Sequence, residues 1–190
     1  MSAAVKEGNK KLSTEFLKIV GEVSEKIGIR PEWLLAVMAK ETAGTFSPSI
    51  KNPSSSATGL IQFTEKTARG LDTSTAKLAK MTREYQMNYV YKYLKPFTGK
   101  LHSFADVYLA VFFPAAIRWP NDKRLPNWVY VANMGIDKAG KGYLTVGDFK
   151  KWIGYKTTPP VKAGIQEKKK NNVLIFIAAG FFAYMIFNRK

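Results

Sequence analysis

The chain has 190 residues, no cysteine, an aromatic share of 13% and a formal net charge of +16. That length suits one domain with a real core plus an appendage, and the apolar share of 46% excludes a disordered chain. The lack of cysteine excludes a disulfide scaffold and thiolate metal sites and leaves the compartment open. Through Tyr155 there are 23 basic and 13 acidic residues, and the last 35 residues carry 7 and 1, so both parts are basic. Such a surface favours polyanions as a class: nucleic acid, anionic lipid or acidic wall polymers. No basic-aromatic strand platform, zinc-finger spacing or helix-turn-helix signature singles out nucleic acid, so no specific nucleic-acid partner is expected.

Residues 1–11 are polar and charged, a flexible terminus without the apolar run of a cleavable secretory signal. The folded domain is expected over 12–155. Ser13 or Thr14 caps a first helix bearing Phe16, Leu17, Val20, Val23 and Ile27, and Gly28 stops it. Arg30-Pro31-Glu32 opens a second helix. In that helix Leu34, Val37, Met38 and Glu41 fall at i, i+3, i+4 and i+7 on one apolar face. A carboxyl at the end of a buried stripe resists ionisation, and an acid still protonated near neutral pH is what general-acid catalysis needs. Periodicity alone leaves two readings of Glu41 open, this buried acid or a solvent-facing group in the last turn.

Thr42 to Pro48 stops the helix, Lys51 to Thr58 is a serine-rich loop, and Gly59-Leu60-Ile61-Gln62-Phe63-Thr64 follows. Glu41-Thr42, Phe46-x-Pro48 and Gly59-Leu60-Ile61-Gln62 together resemble the catalytic core of the soluble-lytic-transglycosylase and goose-type-lysozyme superfamily. In that superfamily a helix ends in Glu-Ser, a Phe-x-Pro follows, and a Gly-Leu-Met-Gln turn leads into the next helix. The resemblance spans about residues 15–153. It implies a mainly α, lysozyme-like domain of an α+β superfamily, with Glu41 as the catalytic acid and no cofactor. It also implies that Thr42 supplies the hydroxyl of the family's serine, and that Gly59, Gln62 and Phe63 help position the glycan.

Residues 64–69 read as a short helix stopped by Gly70, and 71–80 as another short element. Thr82 caps a stronger helix to about Lys95, ended by Pro96, and its Gln86–Leu94 stretch resembles the segment after the glutamine turn in phage members. Its tyrosines at helical spacing are more often core than a sugar platform. Ser103 and Asp106 have the spacing of a capping box that opens the apolar stretch Val107 to Ile117, which Pro114 interrupts. This is the place of the family's Ala-Tyr-Asn helix, but Val111-Phe112-Phe113 stand there instead. Phe112 can close a pocket but cannot donate the tyrosine's hydrogen bond; Tyr108, one turn earlier, is the substitute at hand. His102, the single histidine, reads as a surface residue, and no metal site is expected.

Residues 137–148 follow the EF-hand pattern, with Asp137 at position 1, Gly142 at 6, Leu144 at 8 and Asp148 at 12. Ala139 and Lys141 occupy positions 3 and 5, where calcium requires oxygen, so the loop reads as degenerate. Thr145 caps a last helix with Phe149, Trp152 and Ile153. Residues 156–172 form a basic, proline- and lysine-rich tether, and residues 173–187 an uncharged apolar run before the basic tail 188–190. As a helix that run spans roughly 22 Å against a hydrocarbon core of about 30 Å, and its flanking lysines and arginine make up part of the gap. A single membrane span is therefore expected, with lipid as one partner.

The resemblance implies cleavage of the β-1,4 bond between N-acetylmuramic acid and N-acetylglucosamine in peptidoglycan, giving 1,6-anhydro products. With the anchor and no signal, it implies a phage virion membrane, with other virion proteins as partners and the host inner membrane as a site during assembly. Two rivals stand beside this reading. One is hydrolysis, as in goose-type lysozymes; the other is a non-catalytic, membrane-anchored virion structural or glycan-binding protein.

Overall fold

The computed structural model describes residues 12–154, which fold around one hydrophobic core. Helix α1 (Thr14–Ile27) begins where Ser13 Oγ accepts from Phe16 N at 3.1 Å, and it ends where Gly28 turns left-handed at φ 79°. Phe16, Val20, Val23 and Ile27 are the buried stripe of that helix. Three residues after Gly28, Pro31 opens α2 (Pro31–Glu41), where a missing N–H is harmless because the first turn has no partner for it. Leu34 through Met38 are all buried, so α2 is covered on most sides, and Glu41 is the buried residue at its C-terminal end.

The chain then loops to α3 (Glu65–Arg69), α4 (Thr75–Leu78) and α5 (Arg83–Leu94), each opened by a hydroxyl cap from Thr64, Ser74 and Thr82. Pro96 lies in the 3₁₀ turn that follows α5. Helix α6 (Phe104–Phe112) is buried at every position. Ser103 Oγ accepts from Asp106 N, while Asp106 Oδ2 accepts from His102 N rather than from the cap residue, so half of the expected capping box forms. Pro114 has no N–H to continue α6 and begins a 3₁₀ turn. Two short helices complete the domain, α7 (Asn127–Ala132) and α8 (Val146–Ile153). Helix α1 packs on α5 and α2, and α2 packs on α6, which places Glu41 beside the most apolar helix.

The expectation of a mainly α, lysozyme-like domain of an α+β superfamily with a C-terminal transmembrane helix needs correction, although the described residues are mainly helical. No described residue belongs to a strand. There are isolated bridges only, Lys51 with Thr58, Thr58 with Phe63 and Arg124 with Thr145. The physical reason is local. Thr64, the residue after the Thr58–Phe63 pair, caps α3, so the chain turns into a helix before a second pair can form. Among the described residues no helix is long and apolar enough to cross a membrane. The longest, α1, has 14 residues and only one apolar stripe. The tether, the apolar run at 173–187 and the basic tail lie outside the described residues.

Candidate active site

The C-terminal end of α2 is held by side-chain bonds as well as by backbone. Thr42 Oγ1 donates to Met38 O at 2.7 Å and accepts from Phe46 N at 3.0 Å, tying the last turn to the loop that leaves it. Ala43, Gly44 and Phe46 all take positive φ, so the chain reverses sharply, and Phe46 packs edge-on against Phe16. The reversal keeps Glu41 inside: the residue is 5% exposed.

Burial of this carboxyl in a nearly dry setting raises its pKa to about 7, against opposition from a hydrogen bond with the Tyr108 hydroxyl and from the charge of Lys40. Tyr108 is itself fully buried, and desolvation followed by the Glu41 charge pushes its phenol well above the usual range. The phenol therefore stays a donor at any pH where Glu41 ionises. Helix α8 forms the wall behind it. Tyr108 meets Phe149 edge-on at 5.5 Å and Trp152 at 6.1 Å, and the Lys40 ammonium lies 5.2 Å from the Trp152 ring centroid. Desolvation lowers the pKa of Lys40, with the Glu41 charge opposing.

The second part of the site is the tight loop before α3. Thr58 and Phe63 exchange both backbone hydrogen bonds at 2.9 Å, and Gly59 N donates to Ile50 O at 2.8 Å. Gln62, at the left-handed position, is 2% exposed; its Nε2 donates to Gly59 O at 3.1 Å, while its buried Oε1 has no hydrogen-bond partner. Gln62 lines a recess with about 180 Å³ of empty space, open mouth included, together with Ile61, Phe63, Thr67, Tyr93 and Val111. Tyr93 holds one side of it by donating to Ala110 O at 2.8 Å and meeting Phe63 edge-on. Val111 is three residues after Tyr108 on α6, so one strip of that helix serves both the recess and the Glu41 carboxyl.

The expected site residues thus fall into three groups. Glu41 and Tyr108 are brought together. Gly59, Gln62 and Phe63 form the recess loop. Thr42 is fully buried, with its hydroxyl engaged on both sides inside the helix end, and Phe112 stacks flat on Phe149 at 4.3 Å, against α8. Among the described residues no group of three or more His, Cys, Asp or Glu is placed to hold a metal ion.

One organising residue was not foreseen. Gln86 on α5 is fully buried; its Oε1 accepts from Leu60 N at 2.7 Å, and its Nε2 donates to Pro48 O and Leu78 O, each at 3.0 Å. A single amide therefore joins the loop after α2, the recess loop and the end of α4. The sequence carried a signal for it, because Gln86, Val90 and Leu94 share one stripe of α5 and a lone amide in an apolar stripe must find partners. No protein-family model matches the chain, and no curated protein and no solved structure matches it either.

Proposed function

We propose that this protein cleaves peptidoglycan glycan strands, with Glu41 as the single catalytic carboxyl. The observation that carries the reading is the state of Glu41: buried at the end of α2, with a pKa raised to about 7, it keeps a proton available near neutral pH. Burial, the Tyr108 hydroxyl and the Lys40 charge set that state together, and the resemblance of the Glu41–Gln62 segment to lytic transglycosylases supplies the substrate class.

In this mechanism protonated Glu41 gives its proton to the oxygen leaving from the β-1,4 bond between N-acetylmuramic acid and N-acetylglucosamine. Among the described residues the only other buried carboxyl is Asp106, which accepts from His102 N at the start of α6. The resemblance to lytic transglycosylases implies assistance by the muramoyl 2-acetamido group in place of a second carboxylate. Glu41, now ionised and hydrogen-bonded by Tyr108, takes the proton of the sugar's own 6-hydroxyl as that oxygen attacks the anomeric carbon. The products are a 1,6-anhydromuramoyl end and a new N-acetylglucosamine end, and Glu41 has its proton back. Gln62 and the backbone of Gly59 to Phe63 position the strand. Delivery on a phage particle is the setting the resemblance implies.

The test is digestion of purified peptidoglycan by the full chain and by Glu41→Gln, with the released muropeptides weighed. Products lighter by one water than those of a lysozyme, absent with the variant, are expected. Reducing ends would keep Glu41 as the acid and make the enzyme a hydrolase. No soluble fragments from a folded wild-type chain on several walls would overturn the reading in favour of a glycan-binding or structural role.

A further inference from the structure

The loop at 137–148 keeps the backbone plan of a cation-binding EF-hand although its sequence lacks the ligands at positions 3 and 5. Asp137 Oδ2, at position 1, accepts from the N–H of Gly142, at position 6, at 2.9 Å. Gly140 and Gly142 take φ 65° and 75°, which lets the loop turn tightly around its centre. Leu144, at position 8, is fully buried and its carbonyl accepts from Leu125 N at 2.8 Å, while Val146 N donates to Lys123 O at 3.0 Å. Asp148, at position 12, closes the loop as the N3 residue of the α8 capping box, its Oδ2 accepting from Thr145 N and Thr145 Oγ1, each at 2.8 Å.

The acid at position 12 meets a cation of the chain's own. Lys141 Nζ donates to Asp148 Oδ2 in an ion pair. Asp137 Oδ1 is buried without a hydrogen-bond partner, and its charge acts on the same ammonium. Asp148 first, then Tyr143 and Asp137, favour the charged form of Lys141. The Lys141 ammonium also lies 4.9 Å from the centroid of the Tyr143 ring, whose face Arg124 covers at 3.8 Å.

We propose that Lys141 is the resident cation of this loop: its ammonium binds the position-12 carboxylate of Asp148 in place of the divalent ion that this residue ligates in an EF-hand. A position-5 side chain is long enough to reach inward, and its ammonium occupies an oxygen of the position-12 carboxylate that a calcium ion would need. The loop therefore folds without metal. Because Asp148 caps α8, the same ammonium fixes the helix whose Phe149 and Trp152 back Tyr108. This inference does not rest on the catalytic reading of Glu41.

The test uses the full chain and two variants, with terbium as the luminescent probe and calcium as its competitor. The wild type is expected to show no calcium-displaceable terbium emission and the same melting temperature in calcium as in chelator. Lys141→Met is expected to melt a few degrees lower in both. The double variant Ala139→Asp with Lys141→Asp, which supplies oxygens at positions 3 and 5, is expected to bind terbium, release it to calcium and regain its melting temperature only with calcium. Calcium stabilisation of the wild type would overturn the proposal, as would a Lys141→Met variant as stable as wild type in chelator. A folded double variant that ignores both ions would show that the loop is no cation cradle, and would overturn it too.

Discussion

The Gln86 amide lies where a side chain on residue 59 would begin: a Cβ on Gly59 would meet Gln86 Oε1 at 2.3 Å. The glycine and the glutamine therefore specify each other, because the amide can reach Leu60 N only if position 59 has no side chain, and position 59 also needs φ 81°. Gly59→Ala should cost about 2 kcal/mol or more, from left-handed strain and overlap together. Gln86→Leu should cost about 3 kcal/mol, since it leaves one amide and two carbonyls buried without partners. Thermal or urea denaturation measures both. The double variant should be less destabilised than the sum of the two, because the overlap goes with the amide.

Glu41→Gln should abolish cleavage while making the protein more stable in alkali. The folded-state pKa of about 7 lies above the ordinary value of 4.5, so the folded chain binds more protons than the unfolded chain between those two pH values. Wild-type stability then falls as pH rises from about 4.5 through 7, and the loss above that window is on the order of 3 kcal/mol. Glutamine has no proton to lose. Urea melts at pH 4 and pH 8 should show the variant gaining on wild type only at the higher pH.

Tyr108→Phe removes the hydrogen bond that favours ionised Glu41, so the carboxyl should hold its proton to higher pH. The alkaline limb of kcat/KM should move upward from near pH 7, and Lys40→Met should move it in the same direction by removing a nearby positive charge. Turnover should fall in Tyr108→Phe at every pH, because the re-ionised carboxylate loses its donor. A pH–rate profile for the three proteins separates these effects.

Thr42→Val and Thr42→Ser separate a structural hydroxyl from a substrate-binding one. Valine leaves Phe46 N without its partner and should lower stability by about 1–2 kcal/mol, with KM for glycan strands little changed. Serine restores both bonds and should restore stability.

The ends of α1 and α2 could be read from the chain because caps and stripes are local: Ser13, Gly28 and Pro31 act within four residues of themselves. Glu41 was legible as a carboxyl ending an apolar stripe, but its buried state depended on α6, more than sixty residues away. Tyr108 was singled out only as a stand-in for the tyrosine missing at Phe112, and its contact with Glu41 comes from α2 packing on α6. The partners of Gln86 lie 38, 26 and 8 residues away, and no period links them. The pairing of Thr58 with Phe63 stops at one bridge because Thr64 already caps α3, a competition between turn and helix that no residue-by-residue propensity shows.

Every residue of α6, from Phe104 to Phe112, is shut away from water. An amphipathic helix can lift its polar side and exchange amide protons locally; α6 has no such side. Its amides from Tyr108 onward should exchange with deuterium only when the whole domain opens, more slowly than those of α7, whose Val131 is exposed. The clock rate of that exchange would thus report how long the setting of Glu41 survives intact.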